Sequence, residues 1–125
     1  VDVDLQLAPA GQPGWSRRPD LLIVRREAVQ RVRREGGLLR ADETLLVVEV
    51  VSPGSQRTDY VIKRGEYADA GIPHYWIVDL TPPVSVTECR LSDDFGYQGA
   101  GEVTGTFTTT VPFAVALPLD QLRRE

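Results

Sequence analysis

The pattern of apolar and polar positions is clearest between Leu45 and Leu80, where two apolar runs flank a more polar segment. Leu45 to Val51 is apolar except for Glu49 and is short, so it predicts a buried strand. The segment from Asp59 has helical spacing and stops at Gly71, which predicts a helix closed by a left-handed glycine. A second buried strand is predicted from His74 to Leu80. The order strand, helix, strand favours parallel pairing inside a mixed sheet.

The N-terminal part of the chain contains two further strand patterns. Val1 to Leu7 alternates apolar and polar residues, which predicts an edge strand with one wet face. Ala8 to Pro19 is rich in glycine and proline and is predicted to be a loop. Leu21 to Val24 predicts a short strand buried on both faces. An arginine-rich segment that stops at Gly36 or Gly37 then predicts a short basic helix or arm.

The C-terminal third reads as strands separated by turns. Val84 to Arg90 alternates, and the glycine-containing stretch GYQGAGEVTG is predicted to be turns. Thr106 to Val111 and Phe113 to Leu117 are predicted to be extended, and a helical turn is expected from Pro118. Within the helix after Asp59, we expect Val61, Ala68 and Ile72 to meet the sheet and Gly65 to mark close helix packing.

Composition limits the class of protein. The 125 residues fit one domain with an ordinary core, since 42% are hydrophobic and 26% are charged, and no apolar run approaches the ~20 residues of a membrane helix. The lone cysteine Cys89 fits a reducing cytoplasm. Because the sequence starts at Val1 and contains no methionine, we expect upstream residues of the natural chain to be missing. The pattern offers no linker, so residues 1–125 are interpreted as a single domain.

Charge is unevenly distributed. The net charge of −4 argues against a general nucleic-acid coat, yet eight of the fourteen basic residues lie between Arg17 and Arg40. A solvated surface is the ordinary interpretation of such a run. Contact with phosphate groups is the sharper one, because arginine forks match phosphate oxygens.

Two charged residues near the centre of the pattern suggest chemistry. Glu49 lies inside an apolar strand, where an unpaired carboxylate is costly to bury, so it requires a cation, a donor or a metal. Lys63 is the only lysine among the fourteen basic residues and lies in the helix that follows. Asp20 stands at the start of the Leu21 strand. Two carboxylates and a lysine suit metal-assisted phosphodiester hydrolysis, because Mg²⁺ prefers carboxylate and phosphate oxygens.

The motifs PD, EVVSP, DxxxKxxxY and GIPHYWIVD follow one another in this order. Together they resemble the Uma-type restriction endonuclease domains of bacteria, a branch of the PD-(D/E)XK nuclease superfamily, most strongly from Pro19 to Asp79. The resemblance implies a restriction-endonuclease-like α/β fold with a mixed central sheet flanked by helices. It also implies a cytoplasmic, Mg²⁺-dependent or Mn²⁺-dependent endonuclease that acts on DNA, commonly as a homodimer.

The resemblance also assigns residues. Asp20 and Glu49 would bind the metal, with the backbone carbonyl of Val50 completing its shell. The superfamily expects a lysine two places after the acid, where this chain has Val51, and the family supplies it from the helix as Lys63. Many such nucleases add a glutamate from an upstream helix.

Structural alternatives stand beside each assignment. Asp20 can end a turn, Glu49 can pair with an arginine, and Lys63 can bridge Asp59 on the helix surface. Tyr67 and Tyr75 are interpreted as core or rim aromatics. The alternative function is a catalytically silent nuclease-like module that binds DNA or a protein partner. With His74 as the only histidine, a zinc cluster of histidines is excluded.

Overall fold

The strand that carries Glu49 lies inside a five-stranded mixed sheet. The computed structural model describes residues 4–7, 16–51, 57–93 and 96–122, and within residues 57–60 and at residue 100 only the backbone. The strands in chain order are β1 (Leu5–Gln6), β2 (Ser16–Arg17), β3 (Leu21–Val24), β4 (Leu39–Arg40), β5 (Thr44–Val51), β6 (His74–Asp79), β7 (Ser85–Ser92), β8 (Gly96–Thr104), β9 (Thr106–Thr109) and β10 (Val115–Pro118). The helices are α1 (Arg26–Glu35) and α2 (Arg57–Asp69), with short 3₁₀ turns at Ala41–Glu43 and Leu119–Leu122.

The main sheet has the order β3-β5-β6-β7-β8. β5 and β6 are parallel and are joined through α2, whereas β3 pairs antiparallel with β5 on the other side. The helix-linked parallel pair predicted from the sequence is confirmed, and so is the mixed α/β architecture. This arrangement is compatible with a restriction-endonuclease-like fold.

Alternation along β5 and β6 gives the sheet two different faces. Val47 and Tyr75 point toward α2 and form one core with the buried Tyr67 and Ile72. We call this side the α2 face. Leu46, Val48, Trp76 and Val78 point to the opposite side, where Phe107 of β9 and Leu119 complete a second core. Glu49 belongs to the α2 face because it lies two residues from Val47 on the same strand.

The predicted positions of the N-terminal strands within their sheets are wrong. β1 is central in a small sheet of order β2-β1-β4 rather than an edge, because Ser16–Arg17 forms a strand where only a loop was predicted. β3 is the edge strand of the main sheet and Leu21 is 53% exposed, so it is not buried on both faces. Its apolar composition resembles that of a central strand, although it has a hydrogen-bonded neighbour on one side only.

Three details of the later chain also differ from the sequence pattern. Val61 is 72% exposed, whereas Tyr67 in the second half of α2 and Ile72 just after the helix are fully buried. An added Cβ at Gly65 would meet nothing within 4 Å, so that glycine is not required by packing. GYQGAGEVTG forms the long strand β8 rather than turns. Gly99 explains part of its glycine content, since a Cβ there would approach the Glu88 carbonyl oxygen to 2.8 Å.

The remaining boundaries follow the prediction. α1 ends at Gly36, which has a φ of 74°, and α2 is followed by Gly71 with a φ of 83°. β7, β9 and β10 occupy segments predicted as strands or extended chain, and the last described residues form a helical turn. Neither helix within the described residues is long and apolar enough to cross a membrane.

A charged latch fixes α1 to the segment before β5. Arg31 binds both carboxylate oxygens of Glu43, through Nε at 2.9 Å and Nη2 at 2.7 Å, and Nη2 also donates to the Leu38 carbonyl. The Arg40 amide donates to the same carboxylate. A two-pronged pair of this kind holds orientation as well as charge. The ion pair between Arg31 and Glu43 positions α1, whose other arginines face solvent.

We predict that Glu43→Gln weakens the fold in a pH-dependent way. The hydrogen bond from Arg31 holds the pKa of Glu43 below its ordinary value, although burial opposes this. Such a carboxyl stabilises the fold above its unfolded pKa of about 4.3, and the contribution is lost as the pH falls through the lower folded value. Urea unfolding should therefore show wild type more stable at neutral pH, with the difference vanishing in acid.

The control for that experiment is Asp42→Asn, which alters a neighbouring side chain that is 72% exposed. Its effect on stability should be small at every pH. A deficit in Glu43→Gln that is equally large at pH 7 and in strong acid would contradict the ionic origin of the latch.

Candidate active site

Glu49 is a buried carboxylate with a separate set of partners for each oxygen. Only 3% of the residue is exposed, although it carries a charge. Its Oε2 accepts a hydrogen bond from the Tyr67 hydroxyl at 3.0 Å and lies 3.1 Å from Lys63 Nζ. Its Oε1 accepts a longer hydrogen bond, 3.3 Å, from the Asp20 amide. The burial cost of the charge is thus met by donors from β3 and α2.

Lys63 and Tyr67 reach Glu49 because they stand four residues apart on α2. Residues at this spacing share one side of a helix, so both side chains descend from α2 onto the same oxygen of the sheet. The Lys63 side chain remains 29% exposed, so it lies at the boundary between the core and solvent. Tyr67 is fully buried. The pair therefore combines a fixed donor and a cation at the solvent boundary.

Burial raises the pKa of the Tyr67 hydroxyl far above its ordinary value, and the charge of Glu49 and their hydrogen bond raise it further. The hydroxyl consequently keeps its proton throughout the range in which proteins function. It can only donate to the carboxylate. Tyr67 thereby fixes the orientation of Glu49 without competing with it for a cation.

Asp20 lies beside Glu49 through backbone contacts in both directions. The pairing of Leu21 with Val48 brings the start of β3 to the end of β5. The Val50 amide donates to Asp20 Oδ2 at 2.7 Å, while the Asp20 amide contacts Glu49 Oε1. This reciprocal arrangement holds the two carboxylates at one end of the sheet. Asp20 is exposed, so the site opens to solvent on its side.

The donor set matches a hard divalent cation in type. Two carboxylates from neighbouring strands can hold Mg²⁺, which keeps several of its waters and takes substrate oxygens as well. Within the described residues, no group of three or more histidine, cysteine, aspartate or glutamate side chains could hold a metal. The carboxyl groups that lie together at this site are those of Asp20 and Glu49, and they are the side chains that would hold a metal here. Glu49 Oε1 suits this role, because the Lys63 cation and the Tyr67 hydroxyl are both on Oε2.

An ion pair connects α2 to the three-stranded sheet β2-β1-β4. Arg17 of β2 binds Glu66 Oε1 through Nη2 at 2.6 Å and through Nε at 2.8 Å. Glu66 directly precedes Tyr67 in the chain. This ion pair therefore helps to hold the part of α2 that carries the Glu49 partners.

The three residues selected from the sequence are brought together: Asp20 and Lys63 each contact Glu49. Val51 occupies the strand position two residues after Glu49 and carries no charge, so the ammonium comes from α2. Asp59, a possible partner for Lys63, has a side chain outside the described residues. The Val50 carbonyl stays a predicted metal ligand.

The contact of the Tyr67 hydroxyl with Glu49 is the part of the site that the sequence interpretation missed. Tyr67 was interpreted as a core or rim aromatic; it is fully buried in the core, and its hydroxyl also donates to the Glu49 carboxylate. The available signal was the i, i+4 spacing to Lys63. By contrast, Asp79 accepts the Thr81 amide at 2.9 Å, which is ordinary turn chemistry.

The comparison with protein families agrees with this geometry. Residues 1–111 match the family model described as "Uma2: Putative restriction endonuclease". No curated protein matches the chain. The matched range contains β1 to β9, α1, α2 and all three selected residues. The chain therefore belongs to the Uma2 family of restriction-endonuclease-like proteins.

Proposed function

We propose that this protein is a divalent-metal-dependent endonuclease that hydrolyses phosphodiester bonds of DNA. Family membership supports nuclease activity at the coarse level, and the side-chain geometry supports the chemistry. The observation that carries the proposal is the 3.1 Å contact between Lys63 Nζ and the buried Glu49 carboxylate, beside Asp20. A lysine displaced from the strand to a helix still reaches the acidic pair.

Each residue has a distinct role in this proposal. Asp20 and Glu49 hold Mg²⁺ or Mn²⁺, which, when bound, polarises the phosphate and acidifies a water. Tyr67 keeps the Glu49 carboxylate in one orientation. Lys63 places a positive charge and N–H donors at the solvent boundary of the site, where they orient the attacking water and stabilise the negative charge that grows on phosphate oxygens.

Hydrolysis joins the water oxygen to phosphorus and breaks one phosphorus–oxygen ester bond. The water loses a proton, and the departing oxygen gains one to become a hydroxyl. Preorganisation matters most for such a reaction, because donors that are already fixed need no rearrangement as charge develops. The buried hydrogen bond from Tyr67 and the backbone contacts of Asp20 provide that fixed frame.

The alternative of a silent binding module is less well supported. It was favoured by the shift of the lysine from strand to helix and by the acidic net charge, and a Lys63 side chain that points away from the carboxylates would favour it further. Lys63 instead contacts Glu49. We therefore keep the enzyme as the proposed function.

The arginines of α1 are the proposed contact surface for the DNA backbone. Arg25, Arg26, Arg33 and Arg34 are exposed, whereas Arg31 is engaged in the Glu43 latch. These exposed guanidinium groups, on α1 and on the residue that precedes it, concentrate positive charge in a chain that is acidic overall. Phosphate contact with release of counterions would use that charge.

The first prediction from this proposal concerns cleavage. Supercoiled plasmid with Mg²⁺ or Mn²⁺ should be nicked or linearised by wild type and left intact with chelator. Asp20→Asn, Glu49→Gln and Lys63→Met should each lower the rate by about 100-fold or more, because each removes a ligand or a charge that acts in the transition state. Gel quantification of initial rates measures this.

Asp69→Asn is the matched control, since it neutralises an exposed carboxylate on the same helix as Lys63. It should cleave at the wild-type rate. Chelator-resistant cleavage that survives all three site substitutions would show that these residues do not form the active site.

The second prediction concerns the Tyr67 hydroxyl. Tyr67→Phe should retain the fold but weaken metal affinity by roughly 10-fold, the lower range for residues that orient a ligand, because Glu49 loses its fixed donor. Titration calorimetry with Mn²⁺ reports the affinity. Tyr97→Phe is matched, since it also deletes a buried hydroxyl, one that donates to the Ile72 carbonyl at 2.7 Å. Equal Mn²⁺ affinities of the two variants would contradict the orienting role.

The third prediction concerns α1. The double variant Arg26→Gln with Arg33→Gln should bind duplex DNA more weakly, and the slope of log affinity against log salt should fall by about one for each lost phosphate contact. Fluorescence anisotropy in chelator separates binding from cleavage. Arg90→Gln, a change of a 54% exposed arginine on β7, should leave the slope unchanged. Identical slopes for wild type and the double variant would reject α1 as the contact surface.

A further inference from the structure

A cavity of about 240 Å³ lies between α2 and the main sheet, next to the proposed active site. It is lined by Val51, Val61, Arg64, Ile77, Asp79, Thr87 and Glu102. The strand registers pair Val51 with Asp79, and Thr87 with both Ile77 and Glu102, so these residues share the α2 face with Glu49. The cavity and the carboxylate pair therefore belong to one surface of one sheet.

The cavity and Glu49 are reached from different sides of α2. Lys63 and Tyr67 face Glu49, whereas Val61 and Arg64, which are three residues apart, line the cavity. Arg64 Nη2 donates to the Tyr97 carbonyl at 3.2 Å, which ties this arginine to β8. Val51 stands two residues after Glu49 on β5, at a separation of roughly 7 Å along the strand.

The chemistry of the lining distinguishes between possible ligands. Val51, Val61 and Ile77 provide an apolar surface, and the polar groups are one arginine, one threonine and two carboxylates. The formal charge is negative by one unit, so a phosphate group is disfavoured. A flat heterocycle that offers N–H donors to carboxylates and an acceptor to arginine fits both parts of the lining.

We propose that this cavity binds an unpaired nucleobase that carries an amino group, next to the phosphodiester bond that is cleaved. The proposal rests on the proposed nuclease function and names its substrate class: single-stranded or locally unpaired nucleic acid. A base enters a space between a helix and a sheet only when it leaves its stack. Cytosine, adenine and guanine present an amino group to Asp79 and Glu102. Uracil and thymine have no amino group, and their single N–H on this edge is flanked by two carbonyl oxygens that the carboxylates repel, so they are disfavoured.

The test uses neutral nucleosides with the full chain, because they contain no phosphodiester and require no metal. In ¹⁵N-resolved titrations, cytidine and adenosine should shift the amides of Val51, Ile77 and Thr87, and uridine should shift them less. Ribose 5-phosphate, which has phosphate but no base, should leave these amides unchanged. Shifts that are equal for uridine and cytidine, or that appear with ribose 5-phosphate alone, would overturn the proposal.

Glu102→Gln is the informative variant, since Glu102 is exposed and its replacement keeps size while adding a donor. It should lower the preference for cytidine over uridine by about fivefold, the worth of one ordinary hydrogen bond. Asp69→Asn, an exposed carboxylate outside the cavity, should keep the wild-type preference. An unchanged preference in Glu102→Gln would reject Glu102 as the reader of the amino group.

Nucleoside binding and cleavage separate the two proposals. Base-selective binding by a protein that cleaves no nucleic acid would support the cavity and reject the nuclease function. Metal-dependent cleavage of plasmid without base-selective shifts would support the nuclease function and reject the cavity as a base-binding site. Where both hold, sequencing the products of a randomised single-stranded oligonucleotide should show depletion of thymine at one fixed position beside the cut, and Glu102→Gln should reduce that depletion.

Discussion

The rest of the site depends on one constraint, which is the burial of the Glu49 carboxyl group inside the sheet. A carboxylate that is 3% exposed requires hydrogen-bond donors or a cation, and no single element supplies them. Asp20, just before β3, contributes a backbone amide, and α2 contributes a hydroxyl and an ammonium. Their relative positions are therefore fixed by the electrostatic needs of one side chain as well as by apolar packing. Loss of any partner would leave part of a buried charge without compensation.

The route of the chain explains how a helix can supply the lysine. β5 and β6 are parallel, so their connection must cross the sheet, and α2 does so on the face to which Glu49 points. A side chain four carbons long then reaches the carboxylate from above. Val51, at the strand position where a lysine would otherwise stand, becomes part of an apolar surface. The site in such a protein is defined by which side chains come together in space rather than by their spacing along one strand.

Much of this arrangement could be predicted from the sequence, and the exceptions have physical causes. β5, α2 and β6 were predictable because burial on one or both sides leaves a recognisable pattern of apolar residues along the sequence. The position of β1 between two strands was not, because it depends on pairing between residues far apart in the chain. β8 was missed because glycines usually mark turns, whereas Gly99 permits a close approach to Glu88 within the strand. Asp20, Glu49 and Lys63 were selected by unusual charge and by family motifs. The contact of the Tyr67 hydroxyl was not predicted, because tyrosine counts as a hydrophobic residue in the pattern whether or not its hydroxyl has a partner.

The single lysine has a practical consequence for chemical labelling. In this sequence Lys63 carries the only side-chain amine, and that amine sits against Glu49. A reagent that modifies amines would thus have, apart from the α-amino group, one target among residues 1–125, and its reaction rate there would follow how firmly the ammonium is held. Lys63 is therefore a reporter group that needs no substitution, at a position where an added probe would be hardest to introduce without damage to the site.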